Sequence, residues 1–365
     1  MKTIAVVAPF PNPHFLKIFE SPEFLHRIKV DRFCFRSLPE FRQGLGWKEA
    51  DFTKLSSSYL KIPATQNSVS KYSTVVFYGA VDPRCIPVAM MLCCLRRGQR
   101  TFLVTEGIRF QHPRWRSMVF SLLLNHSGLE ILAIGDRSEV DFRQAGLTKP
   151  TYRKFGFFEN YPPDVMTTPG PEDTCRILSV GRLIERKNFL SIINSLQRIA
   201  AQSTQRIVYS ICGDGDQRAM FESAIEKLPN HVEVNLLGNC NSQQLDQCFR
   251  NADLFAMPST YDGWGVVLNQ AVHYRLPIIV SGGVRAAKDH LVEDGFNGYI
   301  YNTKAELDDY LLKLTQNRQL RKELSVNSQE IADAWQIDTV ARSLASVMLG
   351  EEPQRESRFA PLGRL

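Results

Sequence analysis

Arg182 and Lys187 stand five residues apart in the run VGRLIERKN, Val180 to Asn188. The run follows an apolar stretch with strand character and precedes an apolar helical pattern. Gly181 lets the backbone turn, and the two cations fall beside a helix N-terminus, a setting that suits a diphosphate. The ordinary alternative is a solvated loop with three unremarkable basic residues, Arg186 included. The residues alone leave these two readings level.

A second pair lies in PSTYDGWGVVLNQAVHYRLPIIVSGGVRAAKD, Pro258 to Asp289. Ala252 to Met257 reads as a buried strand that stops at Pro258 and Ser259. Asp262 sits in the Gly-rich turn that follows, with Gly263 and Gly265, and Gln270 lies eight residues further on, about two turns into a helical pattern. A carboxylate and an amide both grip hydroxyl groups by hydrogen bonds. On the ordinary reading Asp262 caps the helix and Gln270 is an exposed helix residue.

Gly213-Asp214-Gly215-Asp216 points in two directions. As a dinucleotide fingerprint it fails, because Arg218 occupies the third glycine position. Two carboxylates suit Mg or Mn. The flanking glycines favour a tight strand-to-helix turn with Asp216 capping the helix.

These loops need elements to hold them, and the chain supplies alternating strands and helices. In the first half, strands are expected at Ile4–Ala8, Thr74–Tyr78, Thr101–Val104 and Leu132–Gly135, with helices at Val88–Leu95 and Ser138–Gln144. The region from Lys29 to Ser73, with Gly44 and Gly46, gives no clean pattern beyond aromatic strands. Tyr161 to Thr174 carries four prolines and a glycine and no apolar period, and reads as an interdomain linker. A second series follows: strands at Arg176–Val180, Arg206–Cys212, Val232–Leu237 and Ile278–Val280, and helices at Phe189–Ala200, Gln217–Lys227 and Ser242–Phe249. Such alternation favours parallel sheets covered on both faces. Thr303 to Glu306 matches a capping box, and a single helix is expected from Ser328 to Met348. The fold class is α/β with two doubly wound Rossmann-like domains. The expected divisions are 1–160, a linker at 161–174, a second domain at 175–327, a helix at 328–350 that packs back towards the first domain, and a poorly ordered tail at 351–365.

A chain of 365 residues exceeds the size at which one core keeps growing. Hydrophobic content of 44% and charged content of 22% are those of a globular protein. The net charge of +6 is spread along the chain without an arginine-rich tail, and no nucleic-acid-binding motif is present, so nucleic acid is not an expected partner. The eight cysteines, Cys34, Cys85, Cys93, Cys94, Cys175, Cys212, Cys240 and Cys248, contain no CxxC and read as free, buried thiols rather than a disulfide framework or a zinc site. The N-terminal apolar run is a first strand, not a signal peptide, and no stretch is long enough to span a bilayer. The expected location is cytoplasmic.

The motifs taken together resemble the retaining GT-B glycosyltransferases of family four, the group-one transferases. That pattern has a GR…K loop, a GDG turn, a PS…E-G-F-G…E-A…G-P-V segment and a D-G-x-N-G-x close. This chain reads Gly181-Arg182…Lys187, Gly213-Asp214-Gly215, Pro258-Ser259…Asp262-Gly263-Trp264-Gly265…Gln270-Ala271…Leu276-Pro277-Ile278, then Asp294-Gly295-Phe296-Asn297-Gly298-Tyr299. Order and spacing hold over residues 175 to 301. The resemblance implies a GT-B fold, with the two domains facing across a cleft. It implies that Arg182 and Lys187 bind the donor diphosphate, that Asp262 meets the donor sugar, and that Gln270 holds the ribose hydroxyls. Gly181, Gly213, Asp214 and Gly265 would shape the donor site, Leu237 and Gly238 would lie near the nucleobase, and Gly283, in the Gly282-Gly283-Val284 loop, near sugar and phosphates. The paired Glu residues of the family are Asp and Gln here, and Val284-Arg285 replaces small or Pro residues.

The implied reaction is retaining transfer of a sugar from a nucleotide-diphosphate sugar to a saccharide or lipid-linked saccharide, in cell-surface polysaccharide or glycoconjugate synthesis. Cations and a helix dipole stabilise the departing diphosphate, so no metal and no other cofactor is expected, and no protein nucleophile is assigned. Glu106 and His112 are candidates on the acceptor side. The loop Arg109 to Arg116, which holds His112, mixes aromatics with basic residues and could touch an anionic acceptor or the inner face of a membrane; an exposed basic loop explains it equally well. His126 and His273 read as structural. The competing function is a catalytically weakened sugar-nucleotide-binding or scaffold protein of the same fold, motivated by Gln270. Other chemistry on the fold, such as epimerisation, is a third.

Overall fold

The computed structural model describes residues 1–9, 13–35, 53–54, 67–79, 86–106, 122–159, 161, 165, 167–168, 170–353 and 357–364. The expectations for Gly44, Gly46, His112 and the rest of the loop 109–116 fall outside the described residues, as does part of the stretch 161–174. Two compact units result: Met1–Asn160 with Ala334–Leu365, and Tyr161–Asp333.

In the first unit β1 (Lys2–Ala8), β2 (Ile28–Cys34), β3 (Thr53–Lys54), β4 (Thr74–Tyr78), β5 (Arg100–Thr105), β6 (Leu129–Ile134) and β7 (Thr151–Phe155) form one sheet in the order β3-β2-β1-β4-β5-β6-β7. Every pairing is parallel. Central strands such as β1 and β4 are covered on both faces, which is why they read as unbroken apolar runs. β2 and β7 escape that pattern because they carry charge. Asp31 and Arg32 interrupt β2, and Arg153 and Lys154 interrupt β7. Arg153 is buried, and its Nε donates to Glu130 Oε2 at 2.9 Å.

The C-terminus departs from expectation twice. The helix expected from Ser328 to Met348 is two, Arg318–Ala334 and Ile337–Leu349. Gln336 takes a non-helical φ of −59° and ψ of 132°, and the buried Trp335 stacks on Phe158 with ring centroids 5.5 Å apart. The second helix packs on Pro13–Glu20 and Pro22–Leu25. Arg100 Nη1 donates to the Val347 carbonyl at 2.9 Å and Lys2 Nζ to that of Met348 at 3.1 Å, so two cations meet its carboxyl end. The tail is not loose: the Lys154 amide donates to the Gly363 carbonyl at 3.1 Å, and Leu362 is buried. β7 left an unpaired edge, and the tail covers it.

In the second unit β8 (Thr174–Val180), β9 (Arg206–Cys212), β10 (Val232–Gly238), β11 (Leu254–Met257), β12 (Ile278–Ser281) and β13 (Gly298–Tyr301) are again all parallel, in the order β10-β9-β8-β11-β12-β13. The apolar faces of Leu190–Ile199 and Lys304–Gln316 close the core with Ile192, Leu196, Leu307, Leu311 and Leu314. The capping box forms: Thr303 Oγ1 accepts from the Glu306 amide at 3.2 Å, and Glu306 Oε2 from the Thr303 amide at 2.9 Å. No helix among the described residues is long and apolar enough to cross a membrane.

Candidate functional site

The strand order of the second unit reverses between β8 and β11. From β8 the chain winds one way to β9 and β10 and later the other way to β12 and β13, so loops part at the carboxyl ends of β8 and β11. In open parallel sheets that crevice is where ligands bind. Both pairs singled out from the sequence hang from these two ends.

After β8, Gly181 turns the chain at φ 147°, and Glu185–Lys187 forms a single 3-10 turn closed by Asn188 in the left-handed region. After β11, the segment from Pro258 is docked on that turn. The Thr260 amide donates to the Arg186 carbonyl at 2.9 Å, and Arg186 Nη1 donates to the Tyr261 carbonyl at 2.6 Å. Lys187 Nζ then lies 2.7 Å from Asp262 Oδ2, with Arg186 Nη1 3.2 Å from the same oxygen. Lys187 and Asp262 are 13% and 14% exposed, so the pair is largely withdrawn from water. Arg182 is exposed and has no ion pair among the described residues. The sequence shows no sign of Arg186's role, because nothing in its spacing separates it from a solvated basic residue.

The glycine turns are packed backbone to backbone. A Cβ on Gly213, whose φ is 145°, would stand 2.0 Å from the Gly181 carbonyl oxygen, and one on Gly215 2.5 Å from that of Leu183. The Leu183 amide donates to the Asp214 carbonyl at 3.0 Å, which ties the two loops together. Asp214 turns its carboxylate on its own loop, accepting from the Gly215 amide at 2.8 Å, with Arg218 3.5 Å away. Asp216 is exposed and does not cap: the helix begins at Arg218 after Gln217, with no side-chain cap bond. At the end of β10, Leu237 is a large apolar side chain 45% exposed. Gly238 accepts from the Gly213 amide at 2.7 Å.

Asp262 is not a helix cap either. Gly265, at φ 84°, precedes the helix Val266–His273, and its carbonyl accepts from the Leu268 amide. A Cβ there would stand 2.5 Å from Met257 Cε. Asp262 is thereby free of the helix and committed to Lys187 and Arg186. Gln270 is half-buried on that helix, and among the described residues its side chain makes no hydrogen bond. The helix is anchored by Trp264, which is buried and donates to Asn269 Oδ1 at 2.7 Å. The Asp262 amide donates to the Gly283 carbonyl at 3.1 Å, and a Cβ on Gly283 would stand 2.2 Å from the Thr260 carbonyl oxygen. A cavity of about 520 Å³ opens beside Pro258, Thr260, Gly282, Gly283 and Asn302. Of the expected residues it takes in Gly283 and not Lys187 or Asp262, so the cavity adjoins the ion pair without enclosing it.

Glu106 follows β5 in the first unit. His273 is buried and stacks on Tyr161 at 4.3 Å, as befits a structural residue. One cluster has no counterpart in the sequence reading. Cys212, Cys240 and Cys248 bring their sulfurs within 4.8 Å of one another. Their spacing in the chain matches no metal motif. Burial, reinforced by its Cys248 and Cys240 neighbours, pushes the Cys212 thiol well above its ordinary range.

Residues 167–331 match the family described as glycosyl transferases group 1. Among curated relatives, the chain is similar to the alpha-monoglucosyldiacylglycerol synthase of Acholeplasma laidlawii. The two are 28% identical over 141 residues, which is 39% of this chain and 35% of that protein. The amylovoran biosynthesis glycosyltransferase AmsD of Erwinia amylovora is 29% identical over 149 residues, 40% of each chain. The chain therefore spans well under half the length of these two relatives. Among solved structures, Anabaena HepE in complex with UDP aligns with a TM-score of 0.70 at 16% identity, covering 96% of this chain and 100% of that one. At that identity the likeness shows the fold, which is the two-sheet α/β arrangement called GT-B.

Proposed function

We propose that the chain, whose residues 167–331 match the family described as glycosyl transferases group 1, transfers a sugar from a nucleotide-diphosphate sugar to a saccharide or lipid-linked saccharide with retention of configuration. The observation that carries the reading is the meeting of Lys187 and Asp262, 2.7 Å apart, at the carboxyl ends of β8 and β11. Phosphates favour such a point, and the amides at the start of Val266–His273 add donors.

Bond cleavage puts negative charge on the departing diphosphate. Lys187, held in place by Asp262, and the exposed Arg182 answer that charge, and a cation fixed beforehand spends no reorganisation when the charge develops. Asp262 accepts from a donor-sugar hydroxyl with its remaining acceptor sites, Gln270 takes the ribose hydroxyls, and the nucleobase lies over Leu237 and Gly238. Gly181, Gly213, Asp214, Gly265 and Gly283 shape the surrounding loops. Neither a metal nor another cofactor is required for the transfer. Glu106 and His112 act on the acceptor side. The work is done on the cytoplasmic side of a membrane, in polysaccharide or glycoconjugate synthesis. The similarity to an amylovoran biosynthesis glycosyltransferase and to an alpha-monoglucosyldiacylglycerol synthase supports a role in polysaccharide or glycoconjugate synthesis.

Gln270 favours a second reading, a sugar-nucleotide-binding protein with weakened catalysis, since an uncharged amide stands where the family has a carboxylate. Calorimetric titration with UDP, GDP and their sugars, followed by a nucleotide-release assay with saccharide and lipid-linked acceptors in EDTA, separates the two. Release coupled to a product with the donor's anomeric configuration supports transfer. Binding without release supports the second reading, and absence of nucleotide binding removes both.

A further inference from the structure

Cys212 ends β9 and is buried, Cys240 lies two residues beyond β10, and Cys248 is in the helix Ser242–Arg250. A strand end, the loop after β10 and the following helix thus deliver one sulfur each to a common point, all within 4.8 Å. Three sulfurs bound to one zinc ion at about 2.3 Å stand about 3.8–4.0 Å apart, so the cluster needs only a small contraction to close on an ion. Cys240 and Cys248 are only half-buried, which leaves the ion a way in. The scaffold is firm: Asn241 and Gln244 form a reciprocal capping box at 2.9 Å each, and Asp246 on the same helix is held by Arg250 at 2.8 Å and by the Tyr274 hydroxyl.

Packing alone is the ordinary account of buried thiols, which behave as small apolar groups. It does not explain why Cys212 meets Cys240 and Cys248 when no other such His, Cys, Asp or Glu group occurs among the described residues. We propose that Cys212, Cys240 and Cys248 form a three-thiolate site for a soft d10 cation of the Zn(II) or Cu(I) class. On binding, each sulfur gives its proton to solvent, and a water or small thiol completes the shell. Sulfur donors discriminate against Mg and Mn, so the site is unrelated to any diphosphate-bound metal. It also sits where it can tie the donor loops. Cys212 precedes Gly213, whose amide donates to the Gly238 carbonyl at 2.7 Å, and Cys240 Sγ donates to that carbonyl at 3.6 Å. An ion held there fixes the ends of β9 and β10 to each other and to the following helix. The inference stands whether or not the chain transfers sugar.

The test is zinc binding by the full chain, reduced, stripped of metal, loaded with zinc chloride and desalted. Cys240→Ser and Cys248→Ser are compared, with far-UV circular dichroism as the folding check. The expected result is one zinc retained per chain, a thiolate-to-metal charge-transfer band when Co(II) is substituted, and an affinity at least ~10-fold lower in each variant. Zinc retention equal in wild type and both folded variants would overturn the proposal. So would a free-thiol count showing a disulfide within the cluster of the untreated protein together with no zinc uptake after reduction.

Discussion

Lys187 Nζ and Asp262 Oδ2 are 2.7 Å apart, and neither side chain is more than 14% exposed. The 3-10 turn after β8 and the loop after β11 are joined at that point, so each residue's position depends on the other. Lys187 is therefore a cation already fixed in place and already partnered. The carboxylate orients the ammonium through Oδ2, the oxygen that Arg186 also reaches.

Removing the two cations should separate binding chemistry from scaffolding. Lys187→Ala and Arg182→Ala are each expected to lower kcat/KM at least ~tenfold, since a lost charge-assisted phosphate contact costs about 1.5–3 kcal/mol. Their stabilities should differ. Arg182 is exposed and has no ion pair among the described residues, so its variant should melt like wild type. Lys187→Ala leaves Asp262 with only the half-exposed Arg186 as partner and should lower Tm. Steady-state kinetics with thermal melts check both, and unchanged kinetics in the two variants would withdraw the phosphate assignment.

The glycine packing gives a stability prediction independent of catalysis. Gly213→Ala places a methyl 2.0 Å from a carbonyl oxygen at φ 145°, and backbone cannot swing aside as a side chain can. Gly98, at φ 71° with nothing within 4 Å, is the control for backbone strain alone. Gly98→Ala should cost about 1–2 kcal/mol, and Gly213→Ala clearly more, with a larger fall in Tm. Equal falls would mean that the GDG turn relaxes.

Much of the fold is legible in the sequence because its central strands are buried and its turns need glycine. The expected bounds of Thr74–Tyr78, Arg206–Cys212 and Ser138–Gln144 match the structure to the residue. What escaped has a physical cause in each case. β2 and β7 carry charges whose partners lie elsewhere in the chain, as Glu130 does for Arg153. The break at Gln336 interrupts an apolar period that continues on both sides. The tail's order comes from pairing with β7, and the thiol cluster from bringing Cys212 at the end of β9 against Cys240 and Cys248. Neither leaves a local trace. The Lys187–Asp262 contact escaped likewise: spacing placed the two residues on neighbouring loops without showing that they meet.

Acid should loosen the helix Ser242–Arg250. The Arg250 guanidinium holds the Asp246 carboxyl below its ordinary range, outweighing partial desolvation, and the Tyr274 hydroxyl adds to the effect. A carboxyl with a folded-state pKa below its unfolded value stabilises the fold above the unfolded pKa. That stabilisation is lost as pH falls through the folded one, here from about pH 4 downwards. Asp246→Asn removes the titration. Its Tm should lie below wild type at neutral pH, and the two curves should converge in acid. Melts between neutral pH and pH 3 check this, and parallel curves would deny the linkage.

Gln270 decides between transfer and binding alone. Its side chain is half-buried and has no hydrogen-bond partner among the described residues. If it holds the ribose, it contributes equally to bound substrate and transition state, and its loss should appear in KM alone. Gln270→Ala is expected to raise the donor KM about 3–10-fold, the worth of one or two neutral hydrogen bonds, with kcat little changed. Gln270→Glu restores a charged acceptor and should lower KM, because hydrogen bonds to an ionised group are stronger. A rise in kcat with Gln270→Glu would mean that the native amide limits catalysis, favouring the weakened-enzyme reading. Indifference of both constants to both substitutions would remove Gln270 from the donor site.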